Sequence, residues 1–154
     1  MQERDIQVFR ESIQNYFEQS SDQAVRTGAP YEKDPDEKIL MEYTGLIGIS
    51  GGMKGCVYFT TSRQFVQEFT RGLLEEEDVP EAAIRDMIGE IANNIAGNAS
   101  ETFRSGFLIS VPAIITGDPA TTSINLEVPA YVISIEWREH QAYLVVGIGT
   151  GSTP

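Results

Sequence analysis

The chain has 154 residues and a formal net charge of −12, because 23 acidic residues outweigh 11 basic residues that are scattered singly along it. Such a surface repels a phosphate backbone and an anionic headgroup layer, so the composition disfavours both nucleic acid and membrane as partners. No apolar run approaches the roughly 18 residues of a membrane span, and the amino terminus lacks the apolar segment of a signal peptide, so we expect a cytoplasmic protein.

The first third of the chain predicts a helix, a loop and a hairpin. Apolar residues recur at helical spacing over residues 5–19. A stretch punctuated by Gly and Pro then continues to Lys38 and predicts a loop, with room for a short strand near Gln23–Thr27. Alternating apolar residues over Ile39–Thr61, interrupted by a Gly-Gly pair, predict a β-hairpin.

Two further helices follow the hairpin. The first covers Thr61–Leu74, and the second, over Pro80–Ser105, is the longest helical pattern in the chain. Gly106 marks the expected end of the second helix. Residue spacing predicts a capping box at both helix starts: Thr61 with Gln64, and Asp78 with Glu81.

The remainder of the chain predicts β-structure. Phe107–Thr116 has a strand pattern, but the interior Pro112 demotes it to an edge strand or a bulge. Ser123–Val128 is expected to be a short strand or an extended segment. Tyr131–Trp137 and Ala142–Ile148 predict a second hairpin.

Together these elements indicate an α+β fold. Helices set apart from hairpin-connected strands favour a largely antiparallel sheet packed with a long central helix and shorter helices. A chain of this length buries enough surface for one core, so we expect a single domain over residues 1–154. Residues 1–4 and 149–154 are expected to fray at its ends.

The chain's one cysteine and one histidine offer little chemistry. They exclude an intramolecular disulfide and a Cys/His zinc cluster. Cys56 lies in an apolar strand pattern, where a thiol usually packs as a small apolar side chain. His140 lies in a polar turn, where we expect it to be solvated. A nucleophilic Cys–His pair is therefore a poor explanation of function.

The long helical pattern has two contrasting faces when its residues are placed at about 100° intervals. The apolar face predicts burial and comprises Ile84, Ile88, Ile91, Ile95 and Ala99. The opposite face is polar and comprises Asp86, Glu90, Asn93, Gly97 and Glu101. Polar residues at this spacing usually only face solvent, so spacing alone predicts no site.

The chemistry of the polar face nevertheless suits phosphoryl transfer. Asn93 can donate and accept hydrogen bonds, so it can fix a water for in-line attack. Glu90, one turn away, can bind a cation on a partner. The flanking residues are small and predict a low surface that a partner can approach: Gly89, Ala92, Ala96 and Gly97. Because this pair has neither a metal nor a nucleophile, it would complete the active site of another protein.

The segment from Leu46 to Asn98, and above all its block GEIANNIAGN, resembles the CheX branch of the CheC/CheX/FliY chemotaxis phosphatase family. The similarity covers most of the chain, from Phe9 to Gly147. Members of this family hydrolyse the aspartyl-phosphate of response regulators such as CheY. They insert a helix with a Glu-x-x-Asn pair into the regulator's active site, so the resemblance implies a CheC-like fold and the same activity.

By this resemblance, Glu90 and Asn93 are the catalytic pair. Asn93 would orient the attacking water and Glu90 would pair with the regulator's active-site lysine. Asp86, at the family's position four residues before the glutamate, and Gly97 would contact the partner. The family motif ends with a proline at a spacing that neither Pro112 nor Pro119 matches, which weakens the alignment after Gly106 more than at the pair.

The resemblance also implies partners and cofactors. The chain would bind no metal or cofactor itself, because the phosphorylated regulator supplies both Mg²⁺ and the phosphoaspartate. The helix over residues 61–74 has no Glu-x-x-Asn, so one active helix per chain is implied. CheX-like proteins tend to be homodimers joined through their sheets, which implies a joint at the C-terminal strands.

Two other functions stay open from the sequence. The same helix could dock a regulator or another protein without accelerating hydrolysis, which the phosphoryl lifetime of a receiver would reveal. Alternatively, the domain could be structural or dimerising, with Glu90 and Asn93 merely solvated. A pull-down against receivers tests this last function.

Overall fold

The structure is a computed structural model that describes residues 3–21, 24–74, 78–103, 107–126 and 129–150. Within these ranges the helices are α1 (Glu3–Ser20), α2 (Arg63–Leu74) and α3 (Glu81–Thr102), with a 3₁₀ turn at Pro119–Thr121. The strands are β1 (Arg26–Thr27), β2 (Tyr31–Glu32), β3 (Tyr43–Ser50), β4 (Met53–Thr61), β5 (Leu108–Ile109), β6 (Ala113–Thr116), β7 (Tyr131–Trp137) and β8 (His140–Thr150). No described helix is long and apolar enough to cross a membrane.

All eight strands lie in one sheet, in the order β1–β7–β8–β4–β3–β5. The short β2 lies beside β7, and β6 lies beside β3, so each edge of the sheet is built from two short strands. Every pair of neighbouring strands is antiparallel. The predicted α+β class with a largely antiparallel sheet and a long helix is therefore confirmed.

The helices pack on one face of this sheet, and α3 lies closest to β3. A Cβ at Gly45 would lie 2.7 Å from the Ile88 carbonyl oxygen and 2.9 Å from the Ala92 Cβ, so only a glycine allows this approach. The α1 helix is fixed to α3 by the Ser12 hydroxyl, which donates to the Ile95 carbonyl oxygen at 2.7 Å. An aromatic cluster from α1, α2 and the sheet fills the core: Phe17, Phe59, Phe65, Phe69 and Trp137.

Loops cover part of the opposite face of the sheet. Tyr58, Val132 and Val145 are buried there beneath residues 39–40 and 124–126. The Tyr58 hydroxyl donates to the Ile39 carbonyl oxygen at 2.5 Å, and burial raises the pKa of this phenol. Residues 39–42 therefore form a cover, and the first strand of the hairpin begins at Tyr43 rather than at the predicted Ile39.

Both predicted capping boxes are wrong. Thr61 is the last residue of β4 and donates its hydroxyl to the Gln141 carbonyl oxygen at 2.9 Å, so Ser62 caps α2 by accepting from the Phe65 N–H at 3.2 Å. At α3 the N-cap is Pro80, without a side-chain hydrogen bond. Glu81 instead accepts from the Tyr43 hydroxyl at 2.7 Å.

The Glu81 carboxylate also forms an ion pair with Arg63. The hydrogen bond from Tyr43 and the Arg63 guanidinium hold the pKa of Glu81 below its ordinary value. A residue that is committed to this contact between α2, α3 and β3 cannot reach back to close a capping box.

The ends of several helices and strands differ from those predicted. Helix α1 already includes Glu3 and its neighbour, and β8 continues through Gly149 to Thr150, where they pair with β4. Residues 3–4 and 149–150 thus lie in regular secondary structure, while the other residues expected to fray, 1–2 and 151–154, lie outside the described ranges. Helix α3 ends at Thr102, and the predicted stop at Gly106 lies outside them too.

Pro112 splits the predicted strand over residues 107–116 into β5 and β6. Both pair with β3 at the sheet edge, as expected for a strand pattern with an interior proline. Residues 110–112 lie between β5 and β6 and belong to neither strand, and Pro112 lies beside Gly89 of α3.

Candidate functional site

A groove of about 600 Å³ opens between α3 and the edge of the sheet. One wall belongs to α3 and comprises Arg85, Asp86, Gly89, Glu90 and Asn93. The other wall belongs to the β5–β6 edge and comprises Ile109, Ser110, Val111, Pro112 and Ile114. Three of the four predicted site residues thus share this groove, whereas Gly97 lies one turn beyond its lining.

The polar wall faces outward because the other face of α3 is needed for the core. Side chains of the predicted apolar face are 0% exposed: Ile84, Ile88, Ile91, Ile95 and Ala99. Asp86, Glu90 and Asn93 are all exposed. The predicted division of this helix into a buried face and a polar face is confirmed. Because the buried face packs against the core, the polar face points into the groove.

The small residues of α3 serve a different purpose from the one predicted. Gly89, Ala92 and Ala96 are buried, so they do not offer a low surface to a partner. A Cβ at Gly89 would lie 3.0 Å from Ile114 Cδ1 and 3.2 Å from Pro112 Cγ. These residues let α3 approach the sheet and its edge segment closely.

Gly97 behaves differently from Gly89. A Cβ at this position would meet only Ile109 Cδ1, at an ordinary contact distance of 3.7 Å. The position is half-buried and lies on the same side of α3 as Asn93. Packing within the chain therefore does not require a glycine here.

The second wall of the groove is held by hydrogen bonds to the sheet. We call residues 109–112 the edge ridge. The Ser110 N–H donates to the Gly48 carbonyl oxygen at 2.9 Å, and the Gly48 N–H donates to the Ser110 hydroxyl oxygen at 2.8 Å. The same hydroxyl donates to the Val111 carbonyl oxygen at 2.9 Å. The ridge is thus anchored where it leaves β5.

The two neighbouring asparagines of α3 have different roles. Asn94 is half-buried, and its side-chain amide donates to the Glu90 carbonyl oxygen at 2.8 Å. The Asn93 amide is exposed in the groove and makes no hydrogen bond to another described residue. Of the pair, Asn93 alone therefore presents an available amide to a molecule in the groove.

The charges of the groove are mixed. Asp86 and Glu90 are acidic, while Arg85 donates to the Thr116 hydroxyl oxygen at 3.2 Å at the edge of the sheet. The Glu90 carboxylate also acts on α1: burial first, and then this negative charge, raise the pKa of Tyr16 to about 12. Glu90 therefore lines the groove as an exposed residue and is close enough to α1 for its charge to act on Tyr16.

The described part of the chain contains no group of three or more His, Cys, Asp and Glu residues that could hold a metal ion. Asp86 and Glu90 are the two carboxylates of the groove, and a hard cation such as Mg²⁺ usually takes further oxygen ligands. Any metal chemistry in this groove would depend on ligands from a second molecule.

Cys56 and His140 do not form a nucleophilic pair. Cys56 is opposite Gly147 in the β4–β8 ladder, and His140 lies seven positions earlier on β8, about 23 Å away for strand geometry. The expectation of a solvated His140 is wrong. Its side chain is only 11% exposed, and Nε2 lies 2.8 Å from a Glu68 carboxylate oxygen.

Arg85 and the edge ridge belong to the groove but were not predicted from the sequence. In the sequence, only Pro112 pointed to the ridge. It predicted an edge strand, but it did not predict that this edge lies beside α3. The apposition of the ridge and α3 depends on both packing against β3, which no local pattern reveals.

Solved structures with the same fold share a CheC-like α+β architecture. The crystal structure of CheX from Vibrio vulnificus is 21% identical, with a TM-score of 0.83, and the match covers 95% of this chain and 99% of that one. A CheC-like superfamily protein from Shewanella sp. PV-4 is 22% identical, with a TM-score of 0.81 and coverage of 97% and 99%. These two likenesses define the class of fold.

CheX from Borrelia burgdorferi, in a complex with CheY, BeF₃ and Mg²⁺, is 19% identical, with a TM-score of 0.74 and coverage of 93% and 96%. No curated protein matches the chain. The model of the family described as chemotaxis phosphatase CheX matches residues 43–136, which is more than half of the chain and includes both walls of the groove. The chain belongs to the CheX family.

Proposed function

We propose that this protein is a phosphatase that accelerates hydrolysis of the aspartyl-phosphate on CheY-like receiver domains. The observation that carries the proposal is the groove itself, in which an available Asn93 amide and an exposed Glu90 carboxylate lie one turn apart in a chain of the CheX family. The helix that bears them is held by a fully buried opposite face. Such a helix can enter a partner's active site without losing its own packing.

In the proposed reaction, Asn93 positions a water molecule for in-line attack on phosphorus. The water oxygen forms a bond to phosphorus while the bond to the receiver's aspartate oxygen breaks, and that aspartate leaves as a carboxylate. The proton of the water passes to the released phosphate or to solvent. Positioning is a large part of catalysis in phosphoryl transfer, because little covalent chemistry is left for the protein.

Glu90 is proposed to pair with the receiver's active-site lysine. A carboxylate that accepts from a cation forms a stronger hydrogen bond than a neutral pair, and it fixes the orientation of the docked receiver. Asp86, one turn before Glu90 on the same wall, and Gly97, one turn after Asn93, would contact the receiver on either side. Glu90 then orients the partner while Asn93 orients the water.

Mg²⁺ is proposed to come from the receiver. The complex from Borrelia burgdorferi contains CheY, BeF₃ and Mg²⁺, which is consistent with this division. In the proposed encounter, the cation neutralises charge on the transferred phosphoryl group, and this chain supplies the water-orienting amide.

We further propose that the chain is one cytoplasmic domain that forms a homodimer through its sheet. The C-terminal strand β8 pairs with β4 on one side and with β7 on the other, and β7 in turn pairs with β1 and β2. The C-terminal strands would therefore meet a second copy through a face of the sheet rather than through their hydrogen-bonding edges.

The test is a panel of purified receiver domains from the same genome, phosphorylated with acetyl phosphate and Mg²⁺. We expect the wild-type protein to shorten the phosphoryl lifetime of at least one receiver, and Asn93→Ala to lose this acceleration about 100-fold or more. Binding of a receiver without any shortened lifetime would favour a non-catalytic docking module. No binding and no acceleration across the panel would refute the proposal.

A further inference from the structure

We infer that the edge ridge, through Val111, forms a second contact that selects and holds the receiver, on the wall of the groove opposite Glu90 and Asn93. This inference rests on the proposed function and names how the same groove recognises its partner. It adds an apolar contribution to affinity and specificity from the ridge wall of the groove to the lysine contact proposed for Glu90, and it leaves the chemistry with Asn93.

The first support is the exposure of Val111. Val111 is 86% exposed, more than any other large apolar residue whose exposure the structure describes. Scattered exposed apolar residues are common on soluble proteins and need no explanation. Val111 differs because it lines the same groove as Glu90 and Asn93.

The second support is that the ridge is fixed before any partner arrives. Ser110 forms a reciprocal pair of hydrogen bonds with Gly48 of β3, at 2.9 and 2.8 Å. At the other end, Pro112 has a fixed φ and packs over Gly89 of α3. A preorganised apolar residue loses little conformational entropy on binding, which is the condition under which one contact can strongly affect affinity.

The third support is continuity with the catalytic wall. A receiver seated on Glu90 and Asn93 has to occupy the groove that the ridge closes on the other side. Arg85, Asp86 and Glu90 give the α3 wall charges of both signs, which suits a partner that presents both an anionic aspartyl-phosphate and a lysine. An apolar contact at Val111 beside this polar surface matches the usual anatomy of an interface, with an apolar centre and a polar rim.

The test separates recognition from chemistry in the receiver that responds best in the panel. We expect Val111→Asp to raise KM about tenfold while kcat at saturating receiver stays within about twofold. Val111→Leu, which keeps an apolar side chain, should retain near wild-type KM. Kd for the same receiver loaded with BeF₃ and Mg²⁺ should rise in parallel with KM.

Leu108→Asp is the matched control. Leu108 is 69% exposed and three residues away, but it does not line the groove. Because both variants replace an exposed apolar side chain with an acid, equal weakening by the two would contradict an assignment to Val111. Thermal unfolding midpoints that match the wild type exclude loss of fold as the cause in either variant.

Two further outcomes would overturn the inference. If Val111→Asp left both KM and Kd unchanged while the wild type stayed an active phosphatase, the ridge would not hold the receiver. If it changed the oligomeric state in sedimentation and not the affinity for the receiver, the ridge would be a contact between copies of this chain. Weakened binding to the BeF₃-loaded receiver, with no acceleration by the wild type, would refute the proposed activity but support the docking surface.

Discussion

The two faces of α3 lie on one backbone and differ in almost every physical respect. The buried face carries isoleucines and an alanine that are 0% exposed and pack on the sheet and on α1. The groove face carries Asp86, Glu90 and Asn93, which are exposed and which the core does not use. Substitutions on the two faces should therefore separate stability from activity.

The contrast between the two faces explains why a polar face can stay free for a partner. A helix whose stability comes from one apolar face tolerates unpaired polar groups on the other, because solvent satisfies them. The available amide of Asn93 therefore costs the fold little, whereas the same amide on the buried face would leave an unsatisfied group.

Ile91→Ala, a substitution on the buried face, should have the largest effect on stability. It removes a fully buried side chain from the core, so we expect the free energy of unfolding to fall by about 2–5 kcal/mol. Urea denaturation followed by circular dichroism measures this loss. The matched variant on the groove face, Asn93→Ala, should stay within about 0.5 kcal/mol of the wild type. Equal losses for the two would erase the distinction between the faces.

Glu90→Lys should have an intermediate effect, which should appear in the affinity for the receiver and not in the stability of the fold. Reversing the charge of the exposed carboxylate places a cation opposite the receiver's lysine, so we expect Kd for the BeF₃-loaded receiver to rise about tenfold or more. Glu101→Lys, which makes the same charge change on the same helix outside the groove, is the control. Unchanged affinity in Glu90→Lys would remove Glu90 from its proposed role.

Gly97→Ala should have the smallest effect. We expect it to stabilise the fold slightly and to weaken binding of the receiver. A Cβ there meets only one atom at an ordinary distance, so the better helix propensity of alanine should stabilise the fold by up to about 1 kcal/mol. Gly89→Ala should gain less, because its Cβ would press on Ile114 and Pro112. Weaker receiver binding by Gly97→Ala would indicate a contact at Gly97. Unchanged binding would argue against one.

The sequence predicted α3 and its two faces because the helical period is local information. The same is true of the strand pairs in both hairpins, where the turns set the register. The exact ends were less accessible. Glu81 was expected in a capping box, but its carboxylate accepts a hydrogen bond from Tyr43 of β3 and forms an ion pair with Arg63 of α2.

Only one wall of the groove, the one on α3, could be predicted from the sequence. Glu90 and Asn93 share a helical face, so their proximity follows from spacing, and the family resemblance distinguished them from a solvated surface. The ridge lies about 20 residues further along the chain, and its position beside α3 depends on Gly89 and on the pairing of β5 and β6 with β3. Small residues that seemed to serve a partner were needed for this internal contact.

The proposed mechanism depends on Asn93 to orient the attacking water, so the most informative measurement is the phosphoryl lifetime of a responsive receiver under a saturating excess of each variant. Asn94→Ala is the control, because this neighbouring amide is turned back to the Glu90 carbonyl oxygen. We predict that Asn93→Ala lengthens the lifetime about 100-fold or more and that Asn94→Ala changes it only a few-fold at most. A receiver dephosphorylated as fast by Asn93→Ala as by the wild type would contradict this mechanism.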